Sequence, residues 1–461
     1  MANNTEMMDK IISLCKRRGF VFPSSEIYGG FAATYDYGPL GFLLKKNLEQ
    51  AWRYWNTQRR DDVVEIEGAI FMHPRVWEAS GHVGGFADLL VEDLVTHKRY
   101  RADHLIEEAG LMENAGGLTT DQATDLIKAK GLKSPDGNAL SDVKKFNQLV
   151  KTHLGATEDD TTLVYLKGES CQNIYLDWKA VQETTRRKLP FGIAQIGKAF
   201  RNEITVKNFL FRTREFEQMD VQYFCRPEDA DKYYEEWKTY RMDFFAEYLG
   251  FAKERLRWRQ HEDDERAFYA RDAWDIEYDF AGMGFKEMEG LHNRGSYDLD
   301  QHSKFSGQDL TYFDDATNEK FNPYIVESSG GFNRLFLSTL FEFYREEDRN
   351  GEVRTYLALP PKLAPYKVAV FPLLKNKPEL VDKARGIYKN LRDAGFNAAW
   401  DDRGNVGKRY YSQDEIGTPF CITVDFDTLE NETVTVRDRD TAEQERIAIA
   451  DLGPYFANKT K

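Results

Sequence analysis

The segment Phe200 to Asp220, FRNEITVKNFLFRTREFEQMD, constrains the fold more than any other part of the chain. It carries four arginine or lysine residues and four carboxylates, yet its pattern is that of strands. From Gln218 to Tyr223 the even positions are Gln218, Asp220 and Gln222 and the odd ones Met219, Val221 and Tyr223, the alternation of a strand with one polar and one apolar face. The preceding strand places Arg201 and Glu203 on one face, TVKNFLF supplies a turn at Asn208, and the pair is expected to form an antiparallel hairpin. One reading is a solvated sheet face with weak surface ion pairs. The other is a nucleotide site, because Arg201, Glu203, Arg212 and Arg214 converge with Phe216 at the hairpin's mouth. A guanidinium is a planar fork of donors suited to phosphate oxygens. A phenyl ring stacks on a flat base and a carboxylate accepts from an exocyclic amine, so the set is what a nucleoside triphosphate requires.

The rest of the chain narrows the setting. At 461 residues it is long enough for roughly two to four domains with a substantial core. Cys15, Cys171, Cys225 and Cys421 lie far apart, with no Cys-x-x-Cys pair and no histidine cluster, and read as reduced thiols. Charge interrupts the apolar positions of MANNTEMMDKIISLCKRRGF before a signal-peptide core or membrane span can form, so a soluble, cytoplasmic protein without membrane contact is expected. A net charge of -14 argues against general polyanion binding, and any nucleic-acid contact must be local. No fixed-period repeat and no low-complexity tract occurs.

Along the chain, a Gly-rich loop, IYGGFAATYDYGPLGFLL, leads into an amphipathic helix near Leu40 to Trp55 and a strand, VVEIEGAIF. From about 103 to 160 the sequence turns polar and Gly-punctuated and reads as an insertion. Strand signals return between Leu163 and Phe224, followed by an aromatic-rich helix from Asp231 to Leu249. In VESSGGFNRLFLSTLFEFY a strand passes through Gly330 and Gly331 into a helix with Leu337, Leu340, Phe341 and Tyr344 on one core face. Two glycines there make either a tight turn or a close approach of backbone to ligand, with Arg334 facing a phosphate near the helix N-terminus. The prolines of ALPPKLAPYK mark a boundary, giving domains at 1–365 and 366–461. Beyond it KVAVFPLL, FCITVDF and TVTVRDR read as strands, and Pro378 to Ala394 as a helix with Leu380, Ala384, Ile387 and Leu391 inward.

The order Phe-Arg-x-Glu, loop, Arg-x-x-x-Phe-x-x-x-Asp, formed by Phe200, Arg201, Glu203, Arg212, Phe216 and Asp220, resembles motif 2 of class II aminoacyl-tRNA synthetases. IAQIGKAFRNEITVKNFLFRTREFEQMD, RGFVFPSSEIYGG, YDYGPLG, ASGHVGGF, RYRADHLIE, LPFG and GKRYYSQDEIGTPFCITVDFD together resemble the homodimeric type of glycyl-tRNA synthetase. The resemblance implies an α+β catalytic domain, an antiparallel sheet flanked by helices, followed by a C-terminal α/β anticodon-binding domain. It implies an ATP-dependent ligase that forms glycyl-adenylate and transfers glycine to the 3′ end of tRNA-Gly. No protein nucleophile is needed, since the glycine carboxylate attacks.

The resemblance also assigns residues. Arg201 binds the α-phosphate, Glu203 the adenine amine, Phe216 the ring and Arg212 the distal phosphates, while Arg334 in the motif 3 position takes the γ-phosphate; Arg201 and Arg334 are the catalytic pair. Asn202, Phe211, Thr213, Arg214, Glu215, Met288, Gly331, Phe332 and Asn333 complete the ATP-binding set, with Glu287 near an ATP-bound Mg²⁺ and Arg294 just beyond. For glycine the matching positions are Arg101, Glu169, Phe216, Glu217, Gln218, Met219, Asp220, Glu327, Ser328, Ser329, Gly330 and Gly331. The chain departs from the family at Lys167 and Asn173 in LKGESCQN, where Arg and Gly are usual, and at Ser328 and Asn333, where Pro and Asp are usual. The zinc-binding cysteines of some members, near VTHKRYRAD, are absent, so no structural zinc is expected. Lys408, Arg409, Arg437 and Arg439 are the candidates for RNA phosphate contacts, and the Gly-rich N-terminal segment with its helix resembles motif 1, which pairs two subunits. Two rivals are a synthetase-like binding protein without aminoacylation and a different ATP-using ligase or kinase. Arg201, Glu203, Phe216 and Arg334 together speak against the first, and the lack of a P-loop or Gly-x-Gly-x-x-Gly against common forms of the second.

Overall fold

The computed structural model describes residues 6–112, 115–204, 208–262, 266, 270–349 and 351–460. Its main sheet has seven strands: β1 (Val63–Glu65), β2 (Phe191–Phe200), β3 (Glu215–Cys225), β4 (Leu256–Gln260), β5 (Asp272–Phe280), β6 (Gly284–Gly295) and β7 (Tyr324–Gly331). They lie in the order β4-β5-β6-β7-β3-β2-β1. All neighbours are antiparallel except β1, which runs parallel to β2. The two faces bury different partners. Helices Glu6–Arg18, Pro39–Arg53, Ala230–Asp243 and Phe332–Phe343 form the main core with Met219, Val221, Tyr223, Ile276, Leu291 and Val326. On the opposite face the Cys171–Thr185 helix packs Ile174, Tyr175 and Trp178 on Phe191, Ile193, Phe224 and Ile325, and leaves the rest of that face to the functional site.

Several expectations shift in register or extent. The Leu40 to Trp55 helix is Pro39–Arg53, continued by a wider turn over Tyr54–Gln58. VVEIEGAIF is not one strand but two short ones, Val63–Glu65 and Phe71–Met72, in different sheets. The Leu163 to Phe224 region contains the Cys171–Thr185 helix as well as strands. Its apolar positions Cys171, Ile174, Tyr175 and Trp178 have i, i+3, i+4, i+7 spacing, a signal present in the sequence and passed over. The Phe332–Phe343 helix is buried all round except at Arg334, rather than on a single face, because it lies between the sheet and the first two helices. The polar region expected at 103–160 contributes to a compact unit that begins earlier, with strands Ala87–Glu92, Arg99–Arg101 and Lys144–Asn147 backed by helices Ala102–Glu108 and Thr120–Lys130.

The C-terminal unit is a five-stranded mixed sheet covered by the Pro378–Asp393 helix, whose Leu380, Ala384, Ile387 and Leu391 are all buried. Its arginines correct the RNA-contact expectation. Arg437 donates both terminal nitrogens to Asp414 at 2.8 and 3.0 Å, Arg439 binds the carbonyls of Gly417 and Leu359, and Arg409 binds those of Pro372, Arg403 and Gly404. All three are buried, with no guanidinium left to meet a phosphate, while Lys408 is exposed. Asp414 also accepts from Arg354 of the hairpin preceding the proline-rich joint, and Ile416 is part of the main core. The two units are thus joined by a buried ion-pair hub as well as by the chain.

A second buried pair ties a helix to the back of the sheet: Arg241 forks onto Glu289 at 2.5 and 2.8 Å, and Ser328 donates to the same carboxylate at 2.7 Å. Removing one member leaves an uncompensated buried charge. Arg241→Met is expected to destabilise the protein by about 3–5 kcal/mol, read as a lower urea midpoint, and the double change Arg241→Met/Glu289→Leu to recover most of it.

Candidate functional site

Period-two geometry divides the sequence candidates between the two faces of the sheet. Gln218, Asp220 and Gln222 of β3 face the same side as their register partners Gly331, Ser329 and Glu327 of β7. That side is not a solvated sheet face: Asp220, Gln222 and Glu327 are buried. The neighbouring positions point the other way and are corrected accordingly. Glu217 pairs with Lys45 at 2.7 Å, Glu215 with Lys198 at 2.7 Å, Ser328 with Glu289, and Met219, Met288 and Phe332 are core residues. Gly330 reaches the site through its backbone.

The hairpin is longer in its loop than the sequence suggests. β2 ends at Phe200 and β3 begins at Glu215, so Arg201, Glu203, Arg212 and Arg214 sit on the connection and not on strand faces. The Arg201 amide donates to the Arg214 carbonyl at 2.9 Å and closes the loop's stem. The described part of the turn, Asn208 and Phe209, has positive φ of 65° and 55°, and the Phe209 ring packs edge-on against Tyr35 at 5.0 Å. Residues 205–207 of the expected turn lie outside the described residues.

This loop and the Gly330-Gly331 turn enclose a cleft lined by Arg201, Glu203, Phe211, Arg212, Thr213, Phe216, Gln218, Glu287, Ser329, Gly330, Gly331, Asn333 and Arg334. The Arg201 guanidinium lies between two rings, 5.1 Å from the Phe86 centroid and 5.3 Å from that of Phe216. Arg212 approaches Glu203 at 3.4 Å. At the other end Arg334 lies 4.5 Å over Phe211 and 3.0 Å from the Glu287 carboxylate, whose pKa it holds below the usual glutamate value. Thr213 and Asn333 join the two walls by a 3.2 Å hydrogen bond. Asn202 and Arg214 are not part of the lining: Asn202 is exposed, and Arg214 donates to the Glu203 carbonyl.

Deeper on the same face is an acidic pocket. Glu169 accepts from His82 at 3.2 Å and lies 3.6 Å from Arg201. Glu327 accepts from Gln222 at 2.9 Å, from His292 at 2.7 Å and from Arg294 at 2.9 Å. Burial raises both acids, but their partners prevail: His82 and Arg201 hold Glu169 well below the glutamate range, and Arg294 and the His292 hydrogen bond hold Glu327 at about 2. Asp220 behaves oppositely. Burial, then the charge of Glu327, push its carboxyl up to about 7 against the pull of the Ser170 and Ser329 hydroxyls. Ser170 donates to its Oδ2, and its Oδ1 is buried with no hydrogen bond of good geometry. The pocket thus holds two fixed anions, one carboxyl poised to ionise, and an unfilled acceptor, which is what a small cation requires. Arg101 is not part of it, being held by Asp88 at 2.9 Å and by a fork to Asp103. His82, Ser170, Gln222 and His292 contribute without having been singled out as site residues; the histidines share no motif with the acids they serve. Among the described residues no group of three or more His, Cys, Asp or Glu side chains could hold a metal alone.

Comparison with known proteins identifies the family. The family model described as "tRNA synthetase class II core domain (G, H, P, S and T)" matches residues 155–344, and "Anticodon binding domain" matches 367–459. The chain is 46% identical to a glycine–tRNA ligase of Chlorobaculum tepidum, covering 98% of this chain and 100% of that one. It is 48% identical to a glycine–tRNA ligase of Treponema denticola, over 98% and 97%. A third, from Borreliella burgdorferi, is 47% identical over 97% and 96%.

Asp220 gives a pH-dependent stability. Its folded pKa lies above the unfolded value, so its contribution is fully present below about pH 4 and is lost as pH rises through about 7. Asp220→Asn keeps the neutral form at all pH values. The variant is expected to outlast the parent by roughly 4 kcal/mol at pH 8, by less than half of that at pH 5, and to converge with it near pH 3, as urea titrations at the three pH values would show.

Proposed function

The chain belongs to the glycine–tRNA ligase family of class II aminoacyl-tRNA synthetases and acts as an ATP-dependent glycine–tRNA ligase; we propose that the two ends of its cleft divide that work. The loop end takes ATP. Phe216 and the Glu203 carboxylate address the adenine, Arg201 the α-phosphate, and Arg212 and Arg334 the outer phosphates. The acidic end takes glycine. Glu169, Asp220 and Glu327 surround its ammonium, with Gln218 and Ser329 closing round the α-carbon so that no side chain fits. The observation that carries this reading is the buried, unfilled Asp220 oxygen among ionised neighbours, a few residues along β3 from the Phe216 ring, over which the Arg201 guanidinium lies at 5.3 Å.

A glycine carboxylate oxygen attacks the α-phosphorus in line and pyrophosphate departs; the terminal ribose hydroxyl of tRNA-Gly then attacks the glycyl carbonyl and AMP leaves. Charge gathers on the phosphoryl oxygens, where Arg201 and Arg334 are fixed in place before reaction. Glu287 is the protein carboxylate suited to an ATP-bound Mg²⁺, which ordinarily takes one or two protein carboxylates and completes its shell with phosphate oxygens and water. The ion would supply charge neutralisation at the outer phosphates. We further assign 1–365 to catalysis, with an insertion at about 103–160, and 366–461 to the anticodon, with Lys408 at an exposed edge. The protein works as a cytoplasmic homodimer, paired through the N-terminal segment, where Ile27, Tyr28 and Phe31 are 88%, 89% and 68% exposed.

ATP–pyrophosphate exchange tests the reading. Exchange is expected with glycine and with no other amino acid; exchange with none, or with a different one, would overturn it. Arg201→Ala should lower the glycine-dependent rate by roughly 10²–10³ while leaving the unfolding midpoint near that of the parent. Phe31→Asp is expected to shift the sedimentation coefficient from dimer to monomer.

A further inference from the structure

We propose that His292 is a positioning residue for glycine activation: it aims the Glu327 carboxylate at the amino acid and is itself backed by Asp275 and His261. The inference rests on the assignment of Glu327 to the glycine ammonium. His292 stands on β6 directly across from Glu327 of β7 in the strand register, and its Nδ1 lies 2.7 Å from the carboxylate. Behind it, His261 Nε2 lies 2.8 Å from Asp275 on β5, and the two imidazole rings are 6.1 Å apart and nearly perpendicular. Acid, imidazole, acid and imidazole therefore alternate across four neighbouring parts of one sheet face, from Glu327 outward.

The backbone beneath this row has been left bare. A Cβ at Gly290 would stand 2.9 Å from His292 Cε1, 3.0 Å from its Nε2 and 3.4 Å from Asp275 Oδ1, so the imidazole and the carboxylate converge over a position that only glycine leaves open. The charged groups around His292 are Glu327 on β7, Arg294 and Glu287 on β6, Asp275 on β5, His261 after β4, and Glu169 across the pocket. Glu287 is paired with Arg334 and makes no hydrogen bond to His292 among the described residues.

The Nδ1 contact fixes the rotation of the Glu327 carboxylate, and the packing of His292 over Gly290 fixes the ring that makes it.

The test is the KM for glycine and for ATP in pyrophosphate exchange, in the parent, His292→Ala and His292→Asn. Asparagine keeps a donor where Nδ1 sits. His292→Ala should raise the glycine KM about tenfold, with the ATP KM and kcat within about twofold, and His292→Asn should restore it. A glycine KM unmoved by His292→Ala would overturn the proposal while leaving the ligase assignment intact. Lack of glycine-dependent exchange in the parent itself would overturn both. If the alanine variant does not fold, His292→Phe, which keeps a ring and lacks the donor, should raise the glycine KM by the same amount, and no rise there would overturn the proposal.

Discussion

Arg294 makes the acidic pocket possible. It is 2% exposed, and its guanidinium holds Asp298 by a fork of 2.8 and 2.9 Å while its remaining nitrogen reaches Glu327. Carboxylates crowded out of water repel one another and would take up protons unless cations are built in among them. Here the compensation is uneven. Glu169 and Glu327 each receive a guanidinium, whereas Asp220 is hydrogen-bonded by Ser170 and feels Lys167 through space while that ammonium donates to Gly68 and Asn173, and so the burden of burial falls on Asp220. The pocket therefore carries a fixed negative charge plus one carboxyl whose ionisation awaits a positively charged visitor. Everything else on this face, from the Tyr175 ring beneath Arg294 to the Ser170 turn, holds that imbalance in place.

How far the sequence carries can be judged residue by residue. The alternation in Gln218 to Tyr223 identifies β3 and its two faces, because a period of two survives any tertiary environment. It does not say which face is wet, and here the Cys171–Thr185 helix covers part of the polar face, reaching Gln222 through Tyr175, and the site takes the rest. Listing a motif as a run of consecutive residues hides the same alternation: Glu217, Met219 and Ser328 stand beside true lining residues in sequence and behind the sheet in space. Strand ends are also invisible where the chain bonds outward. Arg201 and Arg214 look like strand residues, and the Arg201 amide still bonds across the hairpin to Arg214, but the Arg214 amide turns to the Ala33 carbonyl and that of Asn202 to Gln148, and the ladder stops. His82, His261 and His292 were legible only as scattered histidines, since their partners come from elements far apart in the chain.

The misjudged arginines of the C-terminal unit teach a related lesson. Arg409, Arg437 and Arg439 have the residue type and the neighbourhood of a nucleic-acid surface, and sequence offers no way to see Asp414 or the open carbonyls that consume their donors. Five donors on a rigid fork serve a polypeptide backbone as well as they serve a phosphate. Burial decides between the two.

The Asp414 hub bears on whether this molecule is modular. Prolines at the joint suggest a hinge at which the halves could be parted, yet Arg354 lies on one side of that joint and Asp414 and Arg437 on the other, with Ile416 seated in the larger unit's core. Severing the chain there would strand a guanidinium on one fragment and leave an apolar socket on it. The C-terminal unit is consequently not a cartridge that can be swapped between relatives at the linker. A transplant that works must carry the hairpin ending at Leu357 along with it.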